Sequence, residues 1–120
     1  MLFSSVQVAV YSWSFTFDLE NGMVKAMEES DDKIVLVVFF SPYCGYCKRL
    51  MPYIEELCPQ MPDIKFKKID ITTAKELLDS FDINGVPDIF FYNKRRPINR
   101  IIGPNKEMLL DKLTEVKNQK

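Results

Sequence analysis

Ile34-Val35-Leu36-Val37-Val38-Phe39-Phe40, followed at once by Ser41-Pro42-Tyr43-Cys44-Gly45-Tyr46-Cys47-Lys48, decides the reading of this chain. An unbroken apolar run, mostly β-branched and aromatic, is the pattern of a strand covered on both faces, central in a parallel or mixed sheet. The periodicity then changes. Leu50, Met51, Ile54 and Leu57 recur at helical spacing, so a helix opens within the Cys44-to-Cys47 stretch. Its first turn carries unpaired backbone N–H groups and the positive end of the dipole, which favour a thiolate there. Residues three apart on a helix are neighbours at about 5–6 Å, within the Cα range that a disulfide spans. The site is therefore suited to disulfide exchange, with Cys44 as the expected attacking sulfur and Cys47, one turn deeper, as the thiol that resolves the mixed disulfide.

With 120 residues, 47% of them apolar and 28% charged, the chain is sized for one globular domain with one core, and residues 1–10 are read as an extension to it. The formal net charge of -1 hides a gradient: residues 1–32 carry one base against six acids, and residues 94–120 carry eight bases against three acids. The two ends should differ in surface potential. Lys94, Arg95 and Arg96 form a basic run beside Pro97 with no aromatic platform near it, which reads as a solvated hairpin turn rather than a nucleic-acid contact. No stretch is long and apolar enough to span a bilayer. Three cysteines are too few, and odd in number, for a disulfide framework. Cys58 stands eleven residues after Cys47, about 16 Å along a helix, too far to share a bond or a metal with the pair, and reads as buried packing.

Val6, Val8 and Val10 alternate on one parity and Tyr11, Trp13, Phe15 and Phe17 on the other, which predicts an early strand with a bend near Val10 and Tyr11. The seventeen residues concerned lack a basic start and are broken by serines, so no cleaved signal is expected. Asp18 is placed to cap a helix to about Ser30, with Leu19, Met23, Val24 and Met27 inward. Pro52 predicts a kink in the helix after the cysteines, and Pro59 its end. Ile64–Ile71 reads as a second core strand, and Thr73 with Glu76 as a capping box for a helix to about Phe81. Asn84-Gly85 turns the chain, Asp88–Tyr92 and Ile98–Ile102 form a hairpin around Asn93–Pro97, and Asn105 caps a closing helix with Leu109, Leu110, Leu113 and Val116 inward.

Gly85-Val86-Pro87 precedes the last pair of strands, where a proline is tolerated because no ladder N–H is needed. Together these pieces resemble the thioredoxin superfamily from Leu19 to about Lys117: Val37–Phe40 as the strand, Ser41 to Lys48 as the active turn, Pro52 as the kink, Val86-Pro87 as the cis-proline, and Gly103 sixteen residues after it. Phe39-Phe40-Ser41-Pro42 and Cys47-Lys48-Arg49-Leu50 look more like a single protein disulfide isomerase-like domain than a bacterial-type thioredoxin. The resemblance implies an α/β thioredoxin fold, a central mixed sheet of four to five strands flanked by about four helices. It also implies a monomeric thiol–disulfide oxidoreductase acting on protein or peptide disulfides. Such a protein has no cofactor or metal beyond the redox-active Cys44–Cys47 pair, and a reductase or oxidase partner recycles it. Tyr43, Gly45, Tyr46 and Lys48 would make the thiolate's surroundings, and Val86, Pro87 and Asp88 the substrate groove.

Several positions depart from the family pattern. Tyr43 stands where a tryptophan is usual, Val38 where relatives keep a buried carboxylate that handles the second cysteine's proton, and Asn105 and Lys106 near the place of an arginine found in isomerase domains. Gly45-Tyr46 between the cysteines matches neither Gly-Pro nor Gly-His, and the chain contains no histidine. The Cys44 thiolate must then rely on the helix end, with help from Lys48, while Asp88 would oppose it if aimed at the sulfur. Two readings from other classes stay open: a peptide-binding module whose thiols are not catalytic, and a metal or iron–sulfur site shared between two chains through the CxxC. The tail Lys117-Asn118-Gln119-Lys120 is no retention signal, so the expected compartment is the cytoplasm, with the lumen of the endoplasmic reticulum as the alternative.

Overall fold

The computed structural model describes residues 13–16, 23, 26–73 and 75–119, with the backbone alone at 13–16, 76–77 and 119. Five strands form one mixed sheet: β1 (Trp13–Thr16), β2 (Ile34–Phe40), β3 (Ile64–Asp70), β4 (Asp88–Asn93) and β5 (Arg96–Ile102). Their order across the sheet is β1-β3-β2-β4-β5. β2 runs parallel to β3, from Ile34 beside Ile64 to Phe40 beside Asp70, and antiparallel to β4. The apolar run thus occupies the centre, as its composition demands, and every side chain from Ile34 to Phe39 is at most 1% exposed.

Helices cover both faces. α1 (Gly45–Leu57) and α3 (Lys106–Gln119) pack on the face made by Ile34, Leu36, Val38, Phe66, Ile89 and Phe91, through Cys47, Leu50, Ile54, Leu109, Leu113 and Val116. The helical residues 26–29 and α2 (Lys75–Ser80) lie on the other face, over Val35, Val37, Phe39, Ile69, Phe90 and Tyr92. There Phe39, Phe81 and Phe90 meet at centroid distances of 5.7–5.9 Å in tilted and edge-on pairs. Leu110, expected inward, is 44% exposed: α3 turns only one stripe to the sheet, and Leu109, Leu113 and Val116 fill it. Among the described residues no helix is long and apolar enough to cross a membrane.

Pro52 sits inside α1, and Cys58 follows in a short 3-10 turn, 3% exposed and packed against the core. Thr73 gives its hydroxyl to the Asp70 carbonyl at 3.0 Å, just before α2. The side chain of Glu76, its expected capping partner, lies outside the described residues, as do Asp18, Leu19, Val24 and the bend near Val10. The basic run is an exposed hairpin turn. Lys94 and Arg95 both take left-handed backbone (φ 54° and 65°), which closes the two-residue hairpin but is unfavourable for residues with a Cβ. The turn between residues 30 and 33 holds them there: Ser30 accepts from both backbone N–H groups, and Asp31 pairs with the Arg95 guanidinium at 3.0 Å.

Gly103, at φ 60°, ends β5 and lets its N–H reach the Pro87 carbonyl at 2.8 Å. A Cβ there would meet nothing within 4 Å, so only the backbone would be strained. Gly103→Ala should therefore cost about 1 kcal/mol, read as a lower midpoint of denaturant unfolding at unchanged slope.

Candidate functional site

Ser41 begins the site by closing the strand into a turn. Its hydroxyl accepts the Tyr43 N–H at 3.1 Å and its carbonyl accepts the Cys44 N–H at 3.2 Å, with Pro42 pre-set for the turn's second position. Cys44 is then the N-cap of α1, with extended backbone (φ -87°, ψ 118°), and its sulfur accepts the Cys47 N–H at 3.1 Å. A cysteine thus takes the place that serine or aspartate usually holds, so the helix end is satisfied by a sulfur and favours that sulfur as an anion.

The two thiols are unlike each other. Cys44 is partly exposed and Cys47 only 1% exposed. Burial pushes the Cys44 thiol up. The hydrogen bond from the Cys47 thiol, those from the Cys47 and Tyr46 backbone N–H groups, and the charge of Arg49 together outweigh it, leaving Cys44 below the ordinary thiol value. Cys47 is pushed up to about 12, first by burial and then by its hydrogen bond to Cys44. Each sulfur thus works on the other in opposite directions: the outer one is primed to ionise and the inner one to keep its proton.

Three further segments close around the pair. The bond between Val86 and Pro87 is cis, and the Val86 carbonyl faces the Cys44 sulfur at 3.7 Å. Pro87 is buried and tied to Gly103, while the Tyr46 hydroxyl donates to the Pro104 carbonyl at 2.5 Å. Tyr43 stands 83% exposed and Ile102 63% exposed, leaving two large apolar surfaces unburied. Lys48 is exposed and, with Phe40, Ser41, Pro42, Cys47, Met51, Pro52 and Glu55, lines a cleft of about 300 Å³ on the inner side of the turn.

Asp88 does not face the sulfur. It is 1% exposed and held by Arg100 through two bonds, Nε to Oδ1 at 3.0 Å and Nη2 to Oδ2 at 2.6 Å. The fear of an opposing carboxylate is thereby removed, because Asp88 points across the hairpin to β5. Arg49, which the sequence did not single out, supplies the cationic influence on Cys44 and lies over the Tyr46 ring at 5.5 Å. Helical periodicity puts residue 49 on the solvent side of α1, and only the folded turn shows that its charge acts on the sulfur. Arg100 was legible in principle, since Asp88 pairs with Ile102 and an opposite charge two residues along is its diagonal neighbour.

The thioredoxin family model matches residues 19–115. Thioredoxin-2 of Saccharomyces cerevisiae is 33% identical over 76 residues, 63% of this chain and 73% of the yeast protein. Human protein disulfide-isomerase A4 is 39% identical over 72 residues, which are 57% of this chain but 11% of that protein. Among solved structures, a poplar thioredoxin h superposes with a TM-score of 0.81 at 31% identity, covering 88% of this chain and 96% of the poplar chain. The family model spans most of the chain and the poplar protein shares its fold at 31% identity, and the chain belongs to the thioredoxin family of thiol–disulfide oxidoreductases.

Proposed function

We propose that Cys44 is the sulfur that meets the substrate and Cys47 the one that releases it, in the two-electron reduction of protein disulfides. The observation that carries this is the asymmetry of the pair: an N-cap sulfur stabilised as an anion beside a groove, and a second thiol 1% exposed with its proton held up to about 12. The Cys44 thiolate attacks one sulfur of the substrate disulfide, forms a mixed disulfide and expels the other sulfur as a thiolate. Cys47 then loses its proton and attacks the Cys44 sulfur. The second substrate thiolate leaves, and Cys44 and Cys47 are joined by a disulfide. An extended client segment would lie between Tyr43, Ile102 and Val86-Pro87, anchored through backbone groups at Val86. Tyr43, Gly45, Tyr46 and Lys48 would shape the approach to the sulfur.

The monomer acts alone in this reading, and a dithiol donor such as a dedicated reductase returns the disulfide to the dithiol. We place it in the cytoplasm, where an odd count of three cysteines is ordinary and the reducing poise drives the pair toward reduction of clients. A redox titration against glutathione tests that direction: a potential well below the glutathione poise fits a reductase, and one well above it an oxidase.

Alkylation of the reduced protein, read residue by residue by mass spectrometry across pH, tests the roles of the sulfurs. Cys44 should react fastest, with a midpoint below that of an ordinary thiol, and Arg49→Gln should move the midpoint upward. A Cys44 that labels no faster than Cys47 at neutral pH would sink the assignment.

A further inference from the structure

We propose that the cleft beside Cys47 is the proton outlet of the second exchange step, through which the Cys47 S–H proton passes by way of water to the carboxylate of Glu55. The inference rests on Cys47 being the resolving thiol. A buried thiol that must attack needs somewhere to send its proton, and β2 presents on this face Val38, which cannot accept it. Once Cys44 is in a mixed disulfide it can no longer accept the Cys47 hydrogen bond or oppose its ionisation by charge. Burial is then what still holds the proton.

A cleft leads outward from that sulfur. It runs from Cys47 along α1 past Met51 and Pro52 to Glu55, and its volume of about 300 Å³ has room for several waters at about 30 Å³ each. Its wall is mostly apolar, with Ser41, Lys48 and Glu55 as its polar members, and Pro52 has no N–H to give to the Lys48 carbonyl one turn back. Eight residues of helix, about 12 Å, separate Cys47 from Glu55, too far for contact and short enough for a few waters in line.

The outer end is built as well. Lys68, on β3 beside Val38, reaches up to Glu55 with 3.5 Å between Nζ and Oε2. Its side chain is 10% exposed and that of Glu55 49%, so the carboxylate is pinned at the cleft on one side and open to solvent on the other. The ionisable groups facing the path are Cys44 at the N-cap, Lys48 from α1 and Lys68 from β3; the active turn contributes the uncharged Ser41 and Pro42, and β2 contributes Phe40. In the step itself the Cys47 S–H bond breaks and its electron pair forms the bond to the Cys44 sulfur. The bond from Cys44 to the substrate breaks, leaving the substrate sulfur as a thiolate. The proton reaches Glu55 and goes on to bulk water.

A symmetrical aryl disulfide that releases one coloured thiolate per step separates the two exchanges in stopped flow. Glu55→Gln should slow the second release about tenfold at pH 7, less than the hundredfold or more of a directly positioned base. The deficit should close as pH rises and hydroxide takes the proton, Glu55→Asp should recover most of the rate, and the first release should keep its wild-type rate. A second release in Glu55→Gln that matches wild type at every pH overturns the proposal, and so does one slowed equally at every pH, which marks a packing role. Failure of the wild-type protein to give a second release would instead overturn the assignment of Cys47, and this proposal with it.

Discussion

Cys44→Ser should reduce turnover of a disulfide-bonded protein substrate by about three orders of magnitude or more, because a serine hydroxyl at the same N-cap stays neutral at pH 7 and is a poor nucleophile toward sulfur. Cys47→Ser should fail differently. It keeps the attacking sulfur, so the first exchange proceeds and the protein accumulates as a covalent adduct with its substrate, visible as a shifted band on a non-reducing gel and lost on adding a dithiol. Helix capping makes the contrast clean: Cys44→Ser keeps a good acceptor for the Cys47 N–H, so the fold should lose less than about 1 kcal/mol while the activity disappears. Full retention of function by the double variant would show that the groove binds clients without thiol chemistry, which is the binding-module reading. A Cys47→Ser protein that forms no adduct while Cys44 still alkylates quickly would show that clients do not reach the sulfur.

The parts of this molecule that could be read from the sequence are those in which one residue type has one use. Ile34–Phe40 had to be central because nothing in it tolerates water, and it is. Cys44 and Cys47 had to straddle a helix start because the apolar period changes between Phe40 and Leu50, and Cys44 is the cap. Cys58, too far along the chain to bond with the Cys44–Cys47 pair, is packed in the core. What stayed hidden depends on side chains that serve two masters. Arg49 and Leu110 lie where helical period alone says solvent and core, yet the charge of one acts on the reacting sulfur and the other lies outside the core. Lys68 looks like a strand's polar face, but β3 is covered on both sides, so its stem is buried and its ammonium emerges at Glu55. Charge pairing between residues thirteen positions apart, one on a helix and one on a strand, is invisible until strand register is known.

Arg100→Met should lower stability by about 3 kcal/mol, the loss expected when one partner of a buried ion pair is removed and the other is left behind. Asp88 is that other partner, 1% exposed, and no water replaces two hydrogen bonds from a guanidinium at 2.6 and 3.0 Å without opening the hairpin. The guanidinium is itself less buried, at 30% exposed, stacks at 4.6 Å on Phe90 and donates to the Asp82 carbonyl at 2.9 Å, so methionine keeps part of the packing and none of the hydrogen bonds. In a domain of this size the loss corresponds to a fall in Tm of about 10 °C. Asp88→Asn should be milder, about 1–2 kcal/mol, since Arg100 can still bond the amide oxygen and solvent. The double variant should lose less than the sum, and that coupling energy is the measure of the pair. Function follows from position. Asp88 is the residue after Pro87, and β5 leads from Arg100 through Ile102 to Gly103, whose N–H holds the Pro87 carbonyl. Loosening the pair should therefore raise KM for protein substrates while the alkylation rate of Cys44, set by the opposite wall of the groove, stays unchanged. Additive stability losses in the double variant, or an equal fall in the Cys44 alkylation rate, would show that Asp88 and Arg100 do not act as a unit beneath the groove.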